Sequence, residues 1–154
     1  MIAVVQRARS ARVALAEDPA TAVGEIERGL LVLLGVERGD GAPDAAWMAN
    51  KLASLRVFPD AEGRMNRSVR DVEGSILLVS QFTLCGDCRR GHRPSFVEAE
   101  APEVAEPLVE AVAASIRAEH GVPVETGRFR REMLVSLVNE GPVTLVIRSR
   151  DPRG

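Results

Sequence analysis

Two apolar runs near the C-terminus, MLVSLV (Met133 to Val138) and TLVIRS (Thr144 to Ser149), are joined through NEGPVT (Asn139 to Thr144), whose last residue opens the second run. Proline has no N–H to give a sheet ladder, and glycine weakens a strand interior. The Gly141–Pro142 pair therefore predicts an interruption, with one strand over Met133–Val138 and another over Val143–Ser149. A chain that keeps such a break inside its most strand-like stretch needs a reason for it.

The rest of the chain reads as alternating short strands and two helices. Ile2 to Gln6 and the charged alternation that follows to Leu15 predict two strands, and Thr21 to Ile26 a third behind an Asp18-Pro19 turn. GLLVLLGV (Gly29 to Val36) is apolar at every position, as a strand covered on both faces would be. Asp44 to Leu55 places Met48, Leu52 and Leu55 on one helical face. Short strands are expected over Leu55–Phe58 and Met65–Val69, around the turn PDAEG, and a longer one over Ser75–Leu84. Pro102 to His120 spaces Val104, Leu108, Val112 and Ile116 at steps of four and stops at Gly121. Pro107 inside it predicts a kink or a start near Glu106. Val122–Thr126 is the remaining strand. The sum is a mixed α/β fold in one domain over residues 1–154, largely antiparallel sheets in layers, with about eight strands and two helices on one face.

With 154 residues, one hydrophobic core is within reach. The net charge of −2 supplies no global field towards nucleic acid or membrane, so a polyanion would need a local patch. Aromatic residues are 3% of the chain, which argues against an extended RNA platform of stacked rings. Arginines interrupt the N-terminal apolar run where a signal peptide would need continuity, and no apolar run approaches the length of a membrane helix. A cytoplasmic location is expected.

Candidate chemistry is sparse. CGDC (Cys85 to Cys88) with His92 resembles half a zinc site and lacks a fourth ligand beyond Asp87 or the distant His120. Two free cysteines at a strand end is the simpler reading. Ser80 and Thr83 are hydroxyls near a strand end, but no Gly-x-Ser-x-Gly elbow accompanies them. Two basic clusters, Arg89, Arg90, His92, Arg93 and Arg128, Arg130, Arg131, fall in loops and are candidates for phosphate contact. These features do not reach a reaction by themselves.

Several segments together resemble the D-aminoacyl-tRNA deacylases. They are MIAVVQRA, GLLVLLGVERGD, GRMNRSV, SQFTL (Ser80 to Leu84), RPSF (Arg93 to Phe96), ETGRF (Glu125 to Phe129) and SLVNEGPVT (Ser136 to Thr144), in that order across essentially the whole chain. The resemblance implies a homodimeric hydrolase that cleaves the ester between a D-amino acid, or mischarged glycine, and the terminal adenosine of tRNA. It implies that Gly141–Pro142 is a cis bond and enters the partner's site beside Ser80, Gln81, Phe82 and Thr83. Those four residues would act mainly through backbone oxyanion donors and positioning. Arg7 would brace the Gly-Pro segment, and Gln81 and Met133 would line the adenosine and ester end. Arg89, Arg90, Arg93, Arg128 and Arg130 would meet phosphate. The expected partner is the aminoacylated acceptor end of tRNA, with no cofactor, metal, membrane or DNA.

Overall fold

The computed structural model describes residues 1–150. Its elements are β1 (Ile2–Leu15), β2 (Asp18–Ile26), β3 (Gly29–Gly35), α1 (Ala42–Ser54), β4 (Phe58–Pro59), β5 (Met65–Arg67), β6 (Ser75–Ser80), α2 (Pro102–His120), β7 (Val124–Thr126) and β8 (Met133–Arg148). A short 3₁₀ turn, Phe82–Cys85, follows β6.

The organising strand is β1. Along one edge its first half pairs antiparallel with β3 and its second half with β2. Its other edge carries β8 over nearly its full length. The path continues from β3 to β6 and β7 through parallel pairs, giving a six-stranded mixed sheet beside the small β4–β5 ribbon.

The period-two alternation of side chains divides the core into two layers. Leu30, Val32 and Leu34 of β3, with Ala3, Val5, Ile76 and Leu78, pack under Met48 and Leu52 of α1 and Val112 and Ile116 of α2. Both helices therefore cover one face. Leu31, Leu77 and Val79 point the other way and meet Ala11, Val13 and Ile26, so β2 and the far half of β1 curl over that side in a near-barrel. This is why GLLVLLGV is apolar throughout.

Several boundaries differ from the sequence expectation. The first two expected strands are one continuous β1, because its charged half still alternates and still pairs. Asp18–Pro19 belongs to β2 rather than to the turn before it, and Pro19 lies at the exposed start of that strand, where a missing N–H is tolerated. α1 starts earlier than Asp44, at Ala42, with the Asp44 carboxylate accepting the Gly41 N–H at 3.0 Å. The strand expected over Ser75–Leu84 stops at Ser80, where the backbone folds into the 3₁₀ turn. The strand expected from Val122 starts at Val124. The strands expected over Leu55–Phe58 and Met65–Val69 shorten to β4 and β5.

α2 runs unbroken through Pro107 and ends on Gly121, whose φ is +66°. Proline removes one hydrogen bond, to the Glu103 carbonyl, and both residues lie on the exposed face where water can replace it. The buried stripe is Ala105, Val109, Val112, Ala113 and Ile116, while Val104 is exposed. Small alanines bring this helix close to the sheet, and steps of three as well as four define its face.

The largest correction concerns the opening feature. Met133–Arg148 is one strand of sixteen residues, not two, and the Gly-Pro pair lies within it.

Candidate active site

Ladder pairing continues on both sides of the Gly-Pro pair: Gln6 faces Thr144 and Ala8 faces Asn139. Arg7 alone therefore stands opposite residues 140 to 143, a bulge with three extra residues on β8. Within it the Gly141–Pro142 peptide is cis, and Gly141 has φ +137°, a conformation open to glycine.

Side chains replace the missing ladder. Arg7 donates from Nε to the Glu140 carbonyl at 2.8 Å and from Nη1 to the Val57 carbonyl at 2.6 Å. The Glu140 carboxylate stands 3.7 Å from the same guanidinium. Asn139 closes the other flank: its Oδ1 accepts the Val143 N–H at 2.8 Å, and its Nδ2 donates to the Val143 carbonyl at 3.2 Å and to Thr144 Oγ1 at 3.0 Å. Gly141 and Pro142 remain exposed on this frame. Asn139 was not singled out from the sequence. Its signal is local, an Asx side chain two residues before a Gly that needs φ > 0.

The second half of the expected site lies elsewhere. β3, β6 and β7 run parallel, and a cleft of about 790 Å³ opens where β3 and β6 end, bounded by the start of α2. Such ends are where open α/β sheets place ligands. Ser80, Gln81, Phe82, Arg130 and Met133 line it, together with Arg38, Phe96 and Phe129, which sequence reasoning did not assign. Thr83 follows on the 3₁₀ turn, and its hydroxyl accepts a hydrogen bond from the Gln81 side-chain amide.

Backbone bonds fix this corner. The Gln81 N–H donates to the Leu34 carbonyl at 2.8 Å, and the turn closes through Leu84 N–H to the Gln81 carbonyl at 3.3 Å. The first N–H groups of a helical turn have no acceptor within it, which leaves those of Phe82 and Thr83 available to a ligand. The Gln81 N–H is already committed.

The basic residues divide by availability. Arg89 forms a two-point ion pair with Asp87, at 2.9 and 2.7 Å, which holds the Asp87 carboxyl down at about 2. Arg130 is 3.5 Å from Glu103, and Arg131 pairs with Glu17. Arg128 lines a neighbouring cavity of about 490 Å³ that shares Ser80 and Phe129 with the main cleft. Arg90 and Arg93 are exposed and, among the described residues, have no ion-pair partner.

The cysteines do not converge on a metal geometry. Cys85 is buried and donates to the Val36 carbonyl at 3.4 Å, and burial pushes its thiol up to about 11, whereas Cys88 is exposed. No set of three His, Cys, Asp or Glu side chains is arranged to hold a metal among the described residues.

A family model described as D-Tyr-tRNA(Tyr) deacylase matches residues 4–148. The chain belongs to this deacylase family. A D-aminoacyl-tRNA deacylase of Desulfitobacterium hafniense is 55% identical over 149 residues, covering 97% of each chain. That of Thermus aquaticus is 53% identical over 154 residues, covering 100% of this chain and 99% of its own. A solved structure described as c-Myc DNA unwinding element binding protein superposes with a TM-score of 0.90 at 35% identity, over 98% of this chain and all of that one. A probable eukaryotic D-amino acid tRNA deacylase shares the fold, with a TM-score of 0.79 at 18% identity over 95% and 97% of the two chains.

As a member of the deacylase family the chain is a hydrolase of the aminoacyl-tRNA ester bond. The walls of its cleft offer the Ser80 hydroxyl but no histidine to activate it. No helix of the described residues is long and apolar enough to cross a membrane.

Proposed function

We propose that two copies of this deacylase form the working unit, with the Gly141–Pro142 bulge of each inserted beside Ser80–Thr83 of the other. The observation that carries this reading is the separation of the two halves within one chain. The bulge stands opposite Arg7, which pairs with Leu30 and through it aligns with Ile76, four residues short of Ser80. Three strand spacings of about 4.8 Å and four residues of about 3.3 Å along the strand put them on the order of 20 Å apart. A single substrate α-carbon cannot touch both.

β8 supplies the surface for pairing. It is an outer strand, and Leu134, Val135, Val138, Leu145 and Val146 are all exposed along it. A long apolar edge left to water is an invitation to association, and a second copy removes it.

In that dimer the Gly141 and Pro142 carbonyls accept from the protonated α-amine, and the Phe82 and Thr83 N–H groups hold the ester carbonyl as charge develops on it. These contacts fix the atoms that every substrate shares. An L side chain is then driven into the Gly-Pro wall, whereas a D side chain, or the hydrogen of glycine, points into open space. The 2′-hydroxyl of the terminal ribose assists the attacking water. Arg7 and Asn139 hold the bulge, Gln81 and Met133 line the adenosine and ester end, and the uncommitted arginines meet phosphate. The cytoplasm, where tRNA is charged, is the site of action.

The test is hydrolysis of matched D- and L-aminoacyl-tRNA by the dimer. Cleavage of D alone is expected. Cleavage of L alone would indicate an editing enzyme like those attached to archaeal threonyl-tRNA synthetases, and inertness towards both a binding module. The name of the 35% identical relative makes duplex DNA a necessary control, and no binding is expected from a chain with a net charge of −2.

A further inference from the structure

The chain has four Phe, one Trp and no Tyr. Two of these few rings, Phe82 and Phe96, meet at the cleft wall, edge to face, with centroids 5.2 Å apart and planes at 69°. They nonetheless remain 57% and 38% exposed. An edge-to-face pair leaves the faces of one ring uncovered by the other. The arrangement is built by the backbone. Asp87 and Ser95 exchange N–H···O bonds of 2.8 and 2.9 Å, which closes the segment between the two rings. Gly86 makes room for Phe96, since a Cβ there would lie 2.9 Å from the ring. The closed segment carries Arg90 and Arg93, exposed and without an ion-pair partner among the described residues.

An open aromatic face next to unpaired guanidinium groups is the chemistry that holds a single-stranded nucleotide, base on ring and phosphate on arginine. We infer that the Phe82–Phe96 pair holds the base of the nucleotide preceding the terminal adenosine, stacked on the face of one ring and against the edge of the other, with Arg90 and Arg93 on its phosphates. The inference rests on the deacylase reading, which puts the terminal adenosine and its ester in the adjoining cleft. Two rings do not make an extended platform, and one base needs no more.

The experiment compares hydrolysis of a D-aminoacyl-adenosine with that of the same D-amino acid on a short RNA of the tRNA acceptor end. The readout is the ratio of kcat/KM for the long substrate to that for the short one. In Phe96→Leu the ratio should fall between about fivefold and a hundredfold, the range of a lost base–aromatic stack. Phe96→Trp should restore it. Arg90→Glu with Arg93→Glu, on an exposed loop, should lower the same ratio through KM. An unchanged ratio in Phe96→Leu and in the double charge reversal overturns the inference. So does conversion of the dimer to a monomer by Phe96→Leu, which would mean that a second copy covers the rings. A wild-type protein inert on both substrates overturns the deacylase reading itself, and this inference with it.

Discussion

At the scale of single residues, the proposed mechanism puts the catalytic weight on backbone donors rather than on side chains. Ser80→Ala and Thr83→Ala should each retain activity within about a hundredfold, whereas removing a true serine nucleophile costs on the order of a millionfold. Single-turnover hydrolysis of D-aminoacyl-tRNA measures the difference, and a dead Ser80→Ala would restore the nucleophile. The cysteines give a second residue-scale expectation. Cys85 is raised from 9.0 to about 11, first by burial and then by the negative charge of Glu37. Its thiol should resist iodoacetamide at neutral pH while exposed Cys88 is labelled. The neutral thiol is the form the fold favours, so its contribution to stability is complete below pH 9 and is lost as pH rises towards about 11. A Cys85→Ser variant should show a flatter decline of stability across that window, as read by urea unfolding.

At the scale of elements, Pro107 tests how far packing overrides propensity. α2 passes straight through it, so Pro107→Ala should regain the bond to the Glu103 carbonyl and stabilise the protein by up to about 3 kcal/mol. A destabilised variant would show that the ring itself contributes packing. The same contest explains what could be read in the sequence. Elements with a strong period were legible: the all-apolar β3, the second helix and its stop at Gly121. Ser80, Gln81, Phe82 and Met133, expected near one another, line one cleft. What escaped were features set by partners distant in sequence. β1 is one strand because β8 pairs along its whole edge. The Gly-Pro pair is a bulge rather than a break because Arg7, distant in sequence, supplies a hydrogen bond to the Glu140 carbonyl, beside the local ones of Asn139. Arg38, Phe96 and Phe129 reach the cleft only through tertiary packing. The ion pair of Arg89 with Asp87, two residues before it, was likewise not read from the sequence.

At the scale of the molecule, the proposed dimer rests on the exposed apolar edge of β8 and the distance from bulge to cleft. Val138→Lys and Val146→Lys place charges at residues that the single chain leaves 55% and 63% exposed. They should cost little in the folded monomer and should shift sedimentation from dimer to monomer with loss of activity. The most direct measurement is subunit complementation. In one variant, Gly141→Val, a Cβ would stand 2.8 Å from Val143 and 2.9 Å from the Arg7 guanidinium, at a φ of +137°, so the bulge is lost. In the other, Phe82→Pro deletes one oxyanion donor together with the Phe82 ring at the cleft wall, at a position where proline suits the start of a helical turn, for a cost of at least about a hundred- to a thousandfold in kcat/KM. Each variant alone should be nearly inactive. If the bulge of one copy serves the cleft of the other, random remixing yields heterodimers with one fully intact site each, and activity should return to about a quarter of wild type. Recovery to that level is the predicted result, and a mixture no more active than its two components would contradict the shared site.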